Sequence, residues 1–228
     1  MSSNPVIIHG HDGYRDPAII IGPFKPSRPG YGPVLSYLQA AQLQDPLIIH
    51  PLLNLQGWDK KPYAKYLAYN ITEHPQFAAI WVDYDDTETE WIKERGQPAT
   101  SPIVEELNLG HVETGWCVRV RNRMGITCED VLFAIFDFFA SPLYVDELGE
   151  MHPRAVRILP AHSFEKRRLG FFDGGIEGYR KADALLGKVY FNGSGSDGYA
   201  RQLLKKKYNF NASNLLLLEL GKQSRDKA

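Results

Sequence analysis

The stretch Trp116-Cys117-Val118-Arg119-Val120-Arg121-Asn122-Arg123-Met124-Gly125-Ile126-Thr127-Cys128-Glu129-Asp130-Val131-Leu132-Phe133-Ala134-Ile135-Phe136-Asp137-Phe138-Phe139-Ala140 decides the fold. Its first six residues alternate apolar and polar, the period of a strand with one buried and one solvated face. Gly125 ends a turn, and the Thr127 hydroxyl can cap a helix. Glu129 and Asp130 fall in that helix's first turn, where the backbone dipole favours negative charge. The helix is expected to run to about Ala140. Val131, Leu132, Ile135, Phe138 and Phe139 form its stripe, while Phe133 and Phe136 lie off it and are also large and apolar. A helix apolar on most sides is buried on most sides. The predicted class is α+β: a mixed, mainly antiparallel sheet with a buried Phe-rich helix and several short helices packed on it.

Outward from this unit, the chain divides into a proline-rich arm, residues 1–45, and one α+β domain, residues 46–228. Pro5, Pro17, Pro23, Pro26, Pro29, Pro33 and Pro46 exclude long helices from the first part of the chain. The β-branched runs Val6-Ile7-Ile8 and Ile19-Ile20-Ile21 read as short strands. Residues 34–43 suit a short helix with Val34, Leu35, Leu38 and Ala41 on one face. Residues 47–53 look extended, 63–69 helical and 78–84 a strand, and the charged stretch 83–96 is expected in solvent. Further on, 156–159 reads as a strand, 179–186 as a helix closed by Gly187, 188–191 as a strand and 199–208 as a helix. The unbroken leucines of 215–220 suggest a central strand buried on both faces.

Composition narrows the function. Hydrophobic residues make up 43% and charged residues 23%, which excludes a disordered chain. Twenty-six basic and 27 acidic residues leave a net charge of -1, so the cationic field of a nucleic-acid binder is missing. No apolar run reaches the roughly 18 to 20 residues of a membrane span, and residues 1–4 do not start a signal peptide. Cys117 and Cys128 make neither a disulfide framework nor a Cys-x-x-Cys pair. A cytoplasmic protein is expected.

Several motifs carry chemistry in other proteins. Gly193-Ser194-Gly195-Ser196-Asp197-Gly198 matches the G-x-G-x-x-G string that brings a dinucleotide's pyrophosphate to a helix N-terminus, and Glu219 could meet its ribose. Such strings are also ordinary turns, and too little chain follows for further βαβ units. The carboxylates of Asp83, Asp85, Asp86, Glu88, Glu90 and Glu94 approach a calcium loop, but Glu88 stands where that loop needs glycine. His9, His11 and Asp12 offer two imidazoles and a carboxylate, but a strand would send His9 and His11 to one side with no evident third ligand nearby to join them. Cys128 at a helix start could be a reactive thiolate or a small buried side chain. Lys205-Lys206-Lys207 reads as a wet helix face. Arg154, Arg157, Arg167, Arg168 and Arg180 could recognise a carboxylate or phosphate. No serine-hydrolase, zinc-protease or phosphate-binding lysine motif is present.

The chain resembles a domain family of uncharacterised function from mushroom-forming, basidiomycete fungi. The resemblance rests on His50-Pro51-Leu52-Leu53, Trp58-Asp59, the alternation from Trp116 to Asn122, Gly125-Ile126-Thr127 and Asp130-Val131-Leu132. It continues through Arg167-Arg168, Arg180, Asp183-x-Leu185-Leu186-Gly187 and Phe191-x-Gly193, and covers residues 46–220. It implies a cytosolic, compact α+β fold in which Gly193 is a turn residue after a strand. It brings no catalytic residues. Coloured, pigment-carrying chromoproteins occur among fungal proteins of this size.

Aromatic residues are 12% of the chain, with Trp58, Trp81, Trp116, Phe133, Phe136, Phe138, Phe139 and Tyr144 on predicted core elements. Rings of this kind fill cores, and they also line small-molecule sites. The leading expectation is a non-catalytic binder of an elongated apolar molecule such as a polyene pigment or fatty acid. Trp58, Trp116, Phe133, Phe136 and Tyr144 would line its site, with Arg119, Arg121 or Arg168 neutralising an acidic end. No metal or other cofactor is called for. A dinucleotide-dependent oxidoreductase using residues 193–198 is the alternative, and a fungal interaction module that homodimerises through its N-terminal arm is the third reading.

Overall fold

The computed structural model describes residues 6–8, 19–21, 34–43, 47–54, 65–82, 87–89, 91–144, 146, 147, 156, 157, 159, 160, 179–196, 198–209 and 212–222. In chain order the strands are β1 (Val6–Ile8), β2 (Ile19–Ile21), β3 (Ile48–Ile49), β4 (Lys65–Ala68), β5 (Ala79–Val82), β6 (Thr87–Thr89), β7 (Thr100–Ser101), β8 (Glu106–His111), β9 (Trp116–Arg121), β10 (Tyr190–Gly195) and β11 (Leu215–Gly221). The helices are α1 (Tyr37–Ala41), α2 (Trp91–Glu94), α3 (Cys128–Ala140) and α4 (Gly198–Tyr208), with 3-10 turns at Pro75–Phe77 and Lys181–Leu185.

The principal sheet has the order β10-β11-β8-β9. Of its contacts only β11 with β8 is parallel; β10 with β11 and β8 with β9 are antiparallel. β4, β5 and β6 form an antiparallel sheet of their own, and so do β3 with β7 and β1 with β2. The fold is therefore α+β with mainly antiparallel strands.

Side-chain alternation gives the principal sheet two different faces. On one, Leu107, Leu109, Trp116, Val118, Val120, Phe191, Leu216, Leu218 and Leu220 are buried in the main core. α3 lies on this face and adds Val131, Leu132, Ile135 and Phe139, each buried side chain contributing about 1.5–3 kcal/mol. On the other face, Leu215 and Leu217 pack against Ala200 and Leu204 of α4. Gly110 permits that packing, since a Cβ there would lie 2.7 Å from Leu204 Cδ2 and 2.8 Å from the Tyr208 ring.

The β9–α3 unit follows the sequence reading closely. β9 alternates buried and exposed residues along its whole length, and α3 starts at a capping box. Asp130 N–H donates to Thr127 Oγ1, and Thr127 N–H donates to Asp130 Oδ2. β11 is central and its leucines face both ways, as the unbroken run required.

Other segments differ from their local pattern. Residues 65–68 form a strand in the stretch where a helix was expected, because Tyr66 and Leu67 pair with Trp81 and Ile80 across β4 and β5. That cross-strand pairing outweighs a short helical periodicity. Val156, Arg157, Leu159 and Pro160 are helical, not extended. Within the charged stretch, β6 forms and Trp91 is buried. In α1 the buried residue is Ala40, and Leu38 is exposed. Leu35 bridges to Val104, so residues 34–43 belong to the same core as the body.

Candidate functional site

An aromatic corner forms where the C-terminal end of α3 meets the start of β9. The Trp116 ring lies 6.0 Å from Phe138 and 6.1 Å from Phe139, and those two rings stand edge-on at 5.2 Å. Each geometry is a favourable arrangement of ring quadrupoles. Phe139 also meets His111 edge-on at 6.4 Å. Trp116 is buried, yet its indole N–H has no hydrogen-bond acceptor among the described residues. A buried donor of this type ordinarily finds a partner, and leaving it without one costs about 1–3 kcal/mol.

Lys181 closes this corner. The 3-10 turn carrying it is buried at every residue, because Ala182, Ala184 and Leu185 hold the turn in the core. Only 8% of Lys181 is exposed. Its ammonium sits 4.7 Å from the Phe138 ring centroid and 5.9 Å from that of Tyr144. It donates to Ser141 Oγ at 3.2 Å and pairs with Glu147 at 3.1 Å. A desolvated cation over aromatic faces is attracted to them more strongly than one in water. Two residues on, Asp183 accepts from Arg180 N–H through Oδ2, while its buried Oδ1 has no partner among the described residues. The sequence reading does not single out Lys181. The available signal was its place in Lys181-Ala182-Asp183-Ala184-Leu185, where burial of the apolar residues in so short a turn draws their neighbours in.

The anticipated ligand residues are not gathered in one place. Trp116 and Tyr144 border the Lys181 corner, although Tyr144 is exposed. Phe133 and Phe136 leave α3 in another direction and stack edge-on against His74 at 5.2 and 5.7 Å. Arg119 and Arg121 lie on the face of the sheet opposite Trp116, as strand alternation requires. Both Nε atoms donate at 2.7 Å to Glu106, which faces them from β8. Burial pushes the Glu106 carboxyl up, but the hydrogen bonds and charges of the two guanidiniums outweigh it and hold the group below its ordinary range. Trp58 and Arg168 lie outside the described residues, as do Arg154, Arg167, His9, His11 and Asp12. Arg157 is exposed.

The structure bears on two further readings. Gly193, Ser194 and Gly195 are part of β10, with a register irregularity between Phe191 and Gly193. β10 and β11 flank α4 but run antiparallel. A dinucleotide unit needs parallel strands on either side of its helix, so residues 193–198 do not build one. Cys128 is fully buried and burial pushes its thiol up, which makes it inert.

Two histidines are held neutral. Burial lowers His50 to about 4, and its Nδ1 accepts from Leu52 N–H. Burial also lowers His111 to about 4, with Lys188 adding to the effect against Glu113, and its Nδ1 shares a hydrogen bond with Thr114.

The corner, α3 and the Lys181 turn fall within residues 67–200, which match the profile of DUF6699, a family of unknown function. The chain belongs to the DUF6699 family. The DUF6699 match spans β4 to the first turn of α4 and so includes the whole Trp116–Lys181 arrangement. Nothing matches among curated proteins or among solved structures. No described helix is long and apolar enough to cross a membrane.

Proposed function

We propose that this DUF6699 protein binds, without catalysis, an elongated and mostly apolar small molecule that carries an acidic end. The observation supporting this reading is the Lys181 ammonium, withdrawn from water and held over Phe138 beside Tyr144 and Ser141. In this reading the acid takes the place of Glu147 against Lys181, and the apolar body lies along Phe138 and Trp116. The unpartnered Trp116 N–H supplies a donor for a polar atom on the ligand. Small-molecule sites combine aromatic lining with a few polar groups of this sort. Lys181 thereby replaces Arg119 and Arg121 as the headgroup cation, because those arginines are across the sheet and tied to Glu106.

Fatty acids and polyene acids fit the description. The resemblance to fungal proteins makes a pigment, and hence a chromoprotein, one ligand to look for. Two free cysteines suit a reducing cytoplasm. The test is to purify the full chain from its native source without detergent, record its absorption spectrum, and extract it with organic solvent for mass spectrometry. A stoichiometric organic acid supports the proposal; colourless protein yielding no bound acid refutes it.

A further inference from the structure

We propose that the outer edge of β9 is a docking site for an extended peptide strand bearing acidic side chains at alternate positions. β9 ends the sheet order, so one of its edges has no strand beside it among the described residues. The direction of its backbone groups follows from the ladder. Asn122 N–H donates to Glu105 C=O at 3.0 Å, making those two a hydrogen-bonded pair. Such pairs alternate along an antiparallel ladder. In the register of β8 and β9, the next ones are Val120 with Leu107, Val118 with Leu109 and Trp116 with His111. The N–H and C=O groups of Cys117, Arg119 and Arg121 therefore point away from β8, toward the unoccupied edge. No described residue hydrogen-bonds to them.

Unpaired groups of this kind form a template for another strand. Charge selects the occupant. Arg119 and Arg121 are more than half exposed, with side-chain exposures of 53% and 60%, and one Glu106 neutralises only one of them. Since each uses Nε on Glu106, the terminal nitrogens of both are hydrogen-bonded to no described residue. A second β9 would bring four arginines together, and like charges on adjacent strands repel. A strand with Glu or Asp at alternate positions places its carboxylates beside Arg119 and Arg121. Its remaining side chains then extend the apolar row of Trp116, Val118 and Val120.

The test is fluorescence anisotropy of a fluorescein-labelled peptide of alternating Glu and Val, with a Lys–Val peptide as control, against the full chain. The Glu–Val peptide is expected to bind at least tenfold more tightly than the Lys–Val peptide, and to weaken as salt is raised. Cys117→Pro removes an outward N–H but no bond to β8, and leaves Glu106, Arg119 and Arg121 in place. Circular dichroism verifies its fold, and it should abolish binding. Arg121→Gln keeps the edge and should weaken binding several-fold. Equal binding of both peptides, binding unaffected by Cys117→Pro in a folded variant, no binding at millimolar peptide, or dimerisation of the chain through β9 would each overturn the proposal.

Discussion

Acidification should destabilise the fold through His50 and His111. Both rings are almost fully buried, with 4% and 3% exposure, and both are lowered from 6.5 to about 4. Between those two values the unfolded chain binds protons that the folded chain does not, so stability is intact above pH 6.5 and falls as pH drops toward 4. At about pH 5 the deficit is about 2 kcal/mol per ring, or about 4 kcal/mol for both, against a typical total of about 5–15 kcal/mol. Glu106 behaves separately: its contribution is intact above its ordinary 4.5 and is lost only below it. Urea denaturation followed by tryptophan fluorescence at about pH 7.5 and about pH 5, at constant ionic strength, measures the difference. His111→Gln should reduce the loss to about 2 kcal/mol, whatever the substitution costs at the higher pH. A wild-type protein equally stable at both pH values would refute the reasoning.

Phe139 is fully buried among Trp116, Phe138 and His111, so Phe139→Ala should cost about 3–5 kcal/mol in denaturant unfolding. Thr127→Ala removes the capping hydroxyl of α3 and should cost about 1 kcal/mol, measured the same way. Gly125 has φ of 100°, and a Cβ there would lie 2.5 Å from Ile103 Cγ2. Gly125→Ala should therefore cost about 1–3 kcal/mol and lower the thermal midpoint seen by circular dichroism.

The elements legible in the sequence were those whose periodicity and burial agree. β9 alternates without exception, and α3 combines a capping box with a continuous apolar stripe, so local pattern and tertiary contact point the same way. β4 and the helical turns around Val156 were not legible, because both are too short for their own periodicity to outweigh a distant partner. For the site, alternation in β9 already separates Trp116 from Arg119 and Arg121, a consequence the composition-based pocket did not draw. The apolar residues of its turn signal that Lys181 is drawn inward, but sequence spacing does not reveal its partners Ser141, Tyr144 and Phe138.

Lys181 and the rings around it are the proposed anchor for an apolar acid. The direct measurement is a titration of solvent-extracted, refolded protein with a fluorescent polyene fatty acid, for the wild type and for Lys181→Met. Saturable one-to-one binding, weakened about tenfold or more in the variant, is predicted from the loss of one charge-assisted contact. Absence of saturable binding, or the same affinity in a folded Lys181→Met protein, would contradict it.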